Sequence, residues 1–162
     1  RVVGITSTRE KADWLERSLG IHGAIAYRTE SIDSRLRELC PDGVDIYFDN
    51  VGGDTLDSVL GVISKGARVV LCGASSQYDR AAADWQGPKR YFELVYKQAD
   101  MRGFYIFNFA GRFPEGRAKL KSFLADGSLR VFEDVVEGFE HAPEAFERVL
   151  RGATIGTQLI RC

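Results

Sequence analysis

The chain has 162 residues, of which 44% are hydrophobic and 28% are charged, and its 22 basic and 23 acidic residues leave a net charge of −1. This composition is typical of a folded globular protein and excludes a disordered one. No basic run suits a nucleic-acid backbone and no apolar run is long enough to span a bilayer, so neither nucleic acid nor a membrane is an expected partner.

Three cysteines, Cys40, Cys72 and Cys162, are widely spaced and have no histidine cluster near them in the sequence. An odd number without a paired motif predicts neither a disulfide framework nor a zinc site, so no residue is assigned to a metal. The chain opens inside an apolar strand with no leader-like segment before it. We therefore expect a reduced, cytoplasmic protein and an incomplete amino-terminal part.

Patterns typical of strands and helices alternate from the first residue onwards. The predicted strands are Val2–Ile5, Ala24–Tyr27, Val44–Phe48, Ala67–Cys72, Gly103–Phe107, Val131–Val136 and Gln158–Arg161. The first helix is expected to follow a capping box at Ser7–Glu10 and to stop at Gly20; the others are predicted near Ile32–Leu39, Thr55–Ile63, Tyr91–Ala99, Pro114–Leu124 and Pro143–Leu150. Such alternation predicts an α/β fold with a doubly wound parallel sheet that is covered on both faces.

Two parts of the chain depart from this regular alternation. The segment Gly73–Arg90 is the longest irregular stretch, and long loops in compact domains are often functional. The final thirty or so residues either complete the same sheet or belong to a separate domain.

The end of the first strand carries information about a nucleotide. In open parallel sheets, ligands bind beyond the carboxyl ends of the strands, and a fold that selects NAD usually has an acidic residue at this point. Here the strand is followed by Thr6-Ser7-Thr8-Arg9-Glu10-Lys11, with no acid directly after it, which favours NADP. The alternative is that Ser7 caps a helix and that Arg9 and Lys11 are solvated. The glycine-rich phosphate turn expected about 20 residues earlier would lie before residue 1.

Small residues follow the third and fourth predicted strands. In Asp49-Asn50-Val51-Gly52-Gly53-Asp54 the glycines could let the backbone approach a ribose while Asn50 binds it; the alternative is a tight turn with Asp54 as helix cap. In Cys72-Gly73-Ala74-Ser75-Ser76-Gln77-Tyr78 the small residues could surround a flat ring, with the tyrosine as a phenolic donor, or could form a solvated loop. Cys72 is expected to be a buried packing residue.

These motifs together resemble a known family. The order YFDNVGG, CGASSQY, GP, RGFYIF, VVEGFEHAPEAF and a closing GTQLI strand resembles the zinc-independent medium-chain reductases of the prostaglandin reductase type, also described as leukotriene B4 12-hydroxydehydrogenases or NADP-dependent 2-alkenal reductases. The resemblance covers essentially the whole chain. It implies NADPH-dependent reduction of the carbon-carbon double bond of an α,β-unsaturated aldehyde or ketone, and a homodimer.

The resemblance also implies roles for individual residues. Lys11 and Tyr27 match contacts to the adenosine 2′-phosphate, and Asn50 matches a residue near the ribose. The loop along the cofactor corresponds to Cys72, Gly73, Ala74, Ser75, Ser76, Gln77 and Tyr78, and the strand beside the nicotinamide to Phe104, Tyr105 and Ile106. Tyr78 is also the candidate catalytic residue. Thr154 stands where the family usually has asparagine in a late glycine turn, so its cofactor contact is in question.

Domain organisation follows from the same resemblance. Residues 1–125 are expected to be a partial Rossmann domain for NADP that lacks its first strand and glycine turn. Residues 126–162 are expected to pack on a GroES-like catalytic domain outside this chain. Two alternatives remain open: a quinone oxidoreductase of the same superfamily, and a truncated, inactive nucleotide-binding remnant.

Overall fold

The computed structural model describes residues 1–162, in which strands and helices alternate. The strands are β1 (Val3–Thr6), β2 (Gly23–Ala26), β3 (Val44–Asp49), β4 (Ile63–Leu71), β5 (Asp100–Gly103), β6 (Glu133–Glu137) and β7 (Thr157–Arg161). The helices are α1 (Arg9–Leu19), α2 (Ile32–Leu39), α3 (Gly53–Leu60), α4 (Glu93–Lys97), α5 (Phe113–Ala125) and α6 (Ala142–Leu150).

All strand pairs are parallel, which confirms the predicted α/β class. The strands form three sheets, in the orders β1-β2, β3-β4-β5 and β6-β7. Within the first and third sheets a single helix, α1 or α6, connects the paired strands, as parallel pairing requires. β1 and β3 do not pair with each other. Each of them therefore has one edge without a strand partner.

The chain divides into two compact units, Arg1–Ile106 and Phe107–Cys162. The core of the first unit combines buried residues of β2, α2, α3 and β4: Ile25, Leu36, Leu56, Val59, Leu60, Ile63, Ala67 and Val69. A second, smaller cluster of alanines, Ala12, Ala24 and Ala26, joins α1 to β2. Close packing of small side chains lets this helix approach its strand.

In the second unit, α6 connects β6 to β7, and Ala145 is its buried hydrophobic residue. Arg148 of α6 donates to Asp134 of β6 at 2.7 Å, which ties the helix to the sheet. β6 and β7 pair with each other in a two-stranded sheet. The predicted division at residue 125 concerns membership of domains in a longer protein and stays a prediction.

The ends of several elements differ from expectation. The N-cap of α1 is Thr8, whose hydroxyl accepts from the amide of Lys11 at 3.3 Å, so the capping box at Ser7 is wrong. The N-cap of α3 is Gly52, which has no side chain to cap the helix, and Asp54 lies within the first turn, so its prediction as the cap is wrong. Ile63 opens β4 and does not end a helix, because it pairs with Val44 of β3.

β5 also ends earlier than the predicted strand Gly103–Phe107. It pairs with the second half of β4 and stops at Gly103, opposite Leu71, where β4 itself ends. The sheet at β3 is not covered on both faces: Ile46 and Phe48 are exposed, whereas Tyr47 and Asp49 turn inwards. An apolar strand sequence predicts burial on both faces of the strand, whereas one face of β3 is exposed to solvent here.

Candidate functional site

The carboxyl ends of β1 and β2 lie side by side. Thr6 pairs with Ala26, and the amide of Tyr27 donates to the carbonyl of Thr6 at 2.9 Å. Residues that directly follow the two strands therefore share one edge of the sheet. These are Ser7, which is buried, Lys11 one helical turn further on, and Tyr27 with Arg28, which are exposed.

Two basic residues, Lys11 and Arg28, follow the ends of β1 and β2 at this edge. Burial and, secondly, the neighbouring positive charge of Arg28 lower the pKa of Lys11, although Glu10 acts in the opposite direction. Like charges placed together raise each other's free energy, and a bound anion relieves that repulsion. The edge therefore has the donors and the charge that a phosphate requires. The sequence-based prediction included Lys11 and Tyr27 and missed Arg28, whose only signal was its position directly after β2.

Arg9 has a different role from Lys11, although both follow the same strand. Its guanidinium lies 2.7 Å from Asp13, 3.1 Å from Glu16 and 3.5 Å from Glu30. Glu16 also accepts from the amide of Ala24 at 2.8 Å. Arg9 thus belongs to a network that joins α1 to β2, and the contact of Lys11 with a phosphate stays a prediction.

At the end of β3 the chain makes a tight turn around Asp49. Asn50 is exposed immediately beyond the strand, and Gly52 and Gly53 have φ values of +68° and +55°. A Cβ at Gly52 would lie 3.3 Å from the backbone of Ala74, in the loop that follows β4. Glycine at this position allows the two strand-end segments to approach each other.

The Cys72–Tyr78 loop is hydrogen-bonded to this turn. The amide of Ser75 donates to the carbonyl of Asn50 at 3.0 Å, and the amide and hydroxyl of Ser76 donate to the carbonyl of Val51 at 3.1 and 2.7 Å. The structure therefore brings together Asn50 and the loop residues that were predicted to bind one cofactor. The side chain of Cys72 is exposed, so its prediction as a buried packing residue is wrong: the strand has ended at Leu71 and no element covers it.

Gln77 differs from its neighbours in the loop because it is buried. Its side-chain carbonyl accepts from the amide of Gln86 at 2.7 Å, which connects the loop to the following irregular segment. This contact gives Gln77 a structural role. Its predicted cofactor contact stays a prediction, as do those of Gly73, Ala74, Ser75 and Ser76.

Tyr78 is 62% exposed, and its hydroxyl turns back towards its own loop. The oxygen accepts from the amide of Ala74 at 3.0 Å, and the ring lies 6.1 Å from that of Trp85. A Cβ on Gly73 would lie 3.0 Å from this hydroxyl and 3.1 Å from the carbonyl of Asn50. A phenol that accepts one hydrogen bond can still donate its own proton, so the arrangement orients Tyr78 without consuming its donor.

The remaining predicted residues lie beyond β5 and in the second unit. Phe104 continues the pairing for one residue, since its amide donates to the carbonyl of Leu71 at 2.8 Å, and its ring lies 6.3 Å from that of Phe48. Tyr105 and Ile106 are exposed, and the predicted strand through these residues is a loop that enters a short 3₁₀ helix. Thr154 lies in the second compact unit.

The chain is similar to a known protein family over most of its length. The model of the zinc-binding dehydrogenase family matches residues 1–122. The chain belongs to this family. Solved structures that are similar to this chain share its parallel α/β fold, so the predicted fold class is confirmed.

Individual relatives are similar over almost the whole chain. YfmJ of Bacillus subtilis, which carries the name of an NADP-dependent oxidoreductase, is 41% identical over 99% of this chain and 48% of its own length. Rabbit prostaglandin reductase 1 is 36% identical over 96% of the chain and 45% of its own length. The chain thus spans about half the length of the curated relatives it matches.

Solved structures of other proteins share the fold of this chain. CurA of Vibrio vulnificus, determined in complex with NADPH, superposes with a TM-score of 0.87 at 36% identity, over 99% of this chain and 49% of that one. The quinone oxidoreductase of Escherichia coli, also with NADPH, has a TM-score of 0.80 at 23% identity, which shows a common fold. The predicted resemblance to prostaglandin reductases is therefore confirmed at the level of the family.

Two further observations concern metals and membranes. No three His, Cys, Asp or Glu side chains are grouped so that they could hold a metal ion. None of the helices combines the length and apolar character needed to cross a membrane.

Proposed function

We propose that this chain is the cofactor-binding part of an NADPH-dependent reductase that acts on the carbon-carbon double bond of α,β-unsaturated aldehydes or ketones. The observation that carries the cofactor assignment is the pairing of the carboxyl ends of β1 and β2, which are followed by the basic residues Lys11 and Arg28. An anion stabilises such a pair, and a 2′-phosphate distinguishes NADPH from NADH.

A second part of the chain, at the carboxyl ends of β3 and β4, also fits this cofactor. Gly52 and Gly73 lack the Cβ atoms that would fill the contact between the Asn50 turn and the Cys72–Tyr78 loop. The two segments consequently form one continuous backbone surface at the carboxyl ends of β3 and β4, where nucleotides bind in doubly wound sheets. Asn50 and Tyr78 are two of the exposed polar side chains of this surface, and we assign them to a ribose and a ring.

The reaction assigns a task to Tyr78. When bound, NADPH supplies a hydride, which in enone reduction is added to the β-carbon of the substrate. The carbonyl oxygen of the substrate then gains negative charge, and a correctly placed donor stabilises it. The amide of Ala74 already occupies one acceptor position of the Tyr78 hydroxyl, so its proton is available to a substrate oxygen or a ribose hydroxyl.

The proposal includes the organisation of a longer protein. Residues 1–125 are the greater part of a nucleotide-binding domain, and 126–162 pack on a catalytic domain outside this chain. Two findings support it: the chain spans about half the length of its relatives, and β1 and β3 each have an edge that a further parallel strand could pair with. A homodimer in the cytoplasm belongs to the same proposal and follows the resemblance.

The test is a comparison of substrates with the full-length protein. NADPH consumption is measured with an enone, an enal, a quinone and a saturated aldehyde, and the products are identified by mass spectrometry. We expect saturated carbonyl products from the enone and the enal. Turnover of the quinone alone, or reduction of the carbonyl to an alcohol, would contradict the proposal.

A second measurement concerns the 162 residues by themselves. Titration calorimetry is expected to show weak NADPH binding and no enone turnover, because the predicted glycine turn and first strand are not among these residues. Tight binding by the isolated chain would overturn the proposed organisation.

A further inference from the structure

Asp49, the last residue of β3, is fully buried and carries a carboxylate with no basic side chain bound to it. One carboxylate oxygen accepts from the Tyr47 hydroxyl at 2.8 Å, the Val51 amide at 2.9 Å and the Gly52 amide at 3.0 Å. The other oxygen lies 3.2 Å from the Gly52 amide. A buried charge is costly unless hydrogen bonds replace its water, so these contacts define where the turn must lie.

Tyr47 is a permanent donor in this arrangement. Burial, and then the charge of Asp49 and the hydrogen bond to it, raise the pKa of Tyr47 above the usual range of a phenol. The hydroxyl therefore stays protonated at physiological pH and stabilises the carboxylate from the strand side. The carboxylate of Asp49 accepts its other hydrogen bonds from the turn amides of Val51 and Gly52.

The peptide carbonyl of Asp49 anchors a second segment. It accepts from the amide of Cys72 at 2.8 Å and from that of Gly73 at 3.1 Å. One residue thus holds the Asn50–Gly53 turn by its side chain and the beginning of the Cys72–Tyr78 loop by its backbone. The hydrogen bonds of Ser75 and Ser76 to the turn make the loop depend on the shape of the turn.

We propose that Asp49 is a positioning residue for the nucleotide: its carboxylate fixes the turn that presents Asn50 and, through the turn, the loop that carries Tyr78. This inference rests on the proposed function, because it assigns the turn and the loop to a nucleotide. It goes beyond the assignment of binding residues, since Asp49 is fully buried and acts through the turn amides that it binds.

Three variants of the full-length protein test the inference. Asp49→Ala removes the carboxylate. Asp49→Asn keeps an acceptor at the position of the oxygen with three contacts but places an NH₂ group against the Gly52 amide. Asp45→Asn is the matched control, because it makes the same change of charge on the same strand at an exposed residue whose carboxylate accepts from Ser64.

Nucleotide affinity is the first measurement. Asp49→Ala is expected to weaken NADPH and NADH about equally, by about 10- to 100-fold, because the turn and loop face the part that the two nucleotides share. Asp49→Asn is expected to restore much of this affinity, with a loss of about 3- to 10-fold. The control is expected to bind both nucleotides like the wild type.

Hydrogen exchange without nucleotide is the second measurement. In Asp49→Ala the amides of Val51 and Gly52 are expected to exchange about 10- to 100-fold faster relative to that of Val69 in the core of β4. If Asp49→Ala does not fold, the same two measurements on Asp49→Asn decide the matter.

The inference is overturned if the folded Asp49 variants bind nucleotide like the control, or if only their thermal stability changes while Val51 and Gly52 remain protected. Failure of the proposed function looks different, since the wild-type protein itself would then show no preference for a nicotinamide nucleotide.

Discussion

Replacing Lys11 by alanine in the full-length protein is expected to weaken NADPH binding about tenfold and to leave NADH binding nearly unchanged. Lys11 is half-buried in the first turn of α1, which follows β1, and the positive charge of Arg28 lowers its pKa. In the proposed site the ammonium group contacts the 2′-phosphate, which NADH lacks. The substitution therefore removes an interaction that only one of the two nucleotides makes.

The expected magnitude follows from the surroundings of the side chain. A hydrogen bond to a charged group contributes about 1.5–3 kcal/mol, or roughly 10- to 150-fold in affinity. The lower end applies because Lys11 remains partly in water and because Arg28 keeps its charge at the same edge. If both cations bind the phosphate, the double substitution with Arg28→Ala is expected to cost about 100-fold.

Titration of each variant with NADPH and NADH at one fixed salt concentration measures the effect, since screening by salt changes any phosphate contact. Lys65→Ala is the control, because Lys65 is an exposed lysine near the beginning of β4, away from the carboxyl ends of the strands. Equal losses for NADPH and NADH would refute the assignment of Lys11 to the 2′-phosphate. A similar loss in Lys65→Ala would refute a local effect.

Three further predictions concern the loop and the stability of the fold. Tyr78→Phe is expected to lower kcat by about 10- to 1000-fold with a much smaller change in NADPH affinity, and unchanged steady-state turnover would remove Tyr78 from the chemical step. Gly73→Ala places a Cβ 3.0 Å from the Tyr78 hydroxyl and is expected to cost about 1–2 kcal/mol in chemical denaturation, whereas Gly87→Ala, with open space around it, is expected to be nearly neutral. Arg90 donates to the Asp33 carboxylate and holds the pKa of Asp33 below its ordinary value. This pair therefore stabilises the fold fully above about pH 4, the pKa of Asp33 in the unfolded chain. Its contribution is lost as the pH falls through the lower pKa that Asp33 has in the folded protein. Asp33→Asn is expected to remove about 1 kcal/mol or less near neutral pH and nothing in strong acid, and a constant difference across pH would contradict this account.

The amino-acid sequence by itself determined the class of fold and the order of its elements. Alternating apolar strands and amphipathic helices require parallel pairing through crossover connections, and this rule depends only on local periodicity. The stop of α1 at Gly20 was equally predictable, because glycine adopts the left-handed conformation that ends a helix, and Gly20 has a φ of +65°. The absence of an acid after β1 and the motifs around Asn50 and Tyr78 indicated the nucleotide and the family.

Only the tertiary structure showed which polar residues are bound to other parts of the fold. Arg9 and Lys11 follow the same strand, yet Arg9 is bound to acidic side chains from α1 and from the segment after β2, which lie far apart in sequence. β5 ends at Gly103 because its partner β4 ends opposite it, and Cys72 is exposed for a similar reason. In the sequence, Asp49 is an acidic residue before a glycine turn, and nothing in this pattern predicts that it is buried. Its burial and its contacts depend on how β3, β4 and their loops pack together. Such properties arise from contacts between distant segments, which a local pattern does not encode.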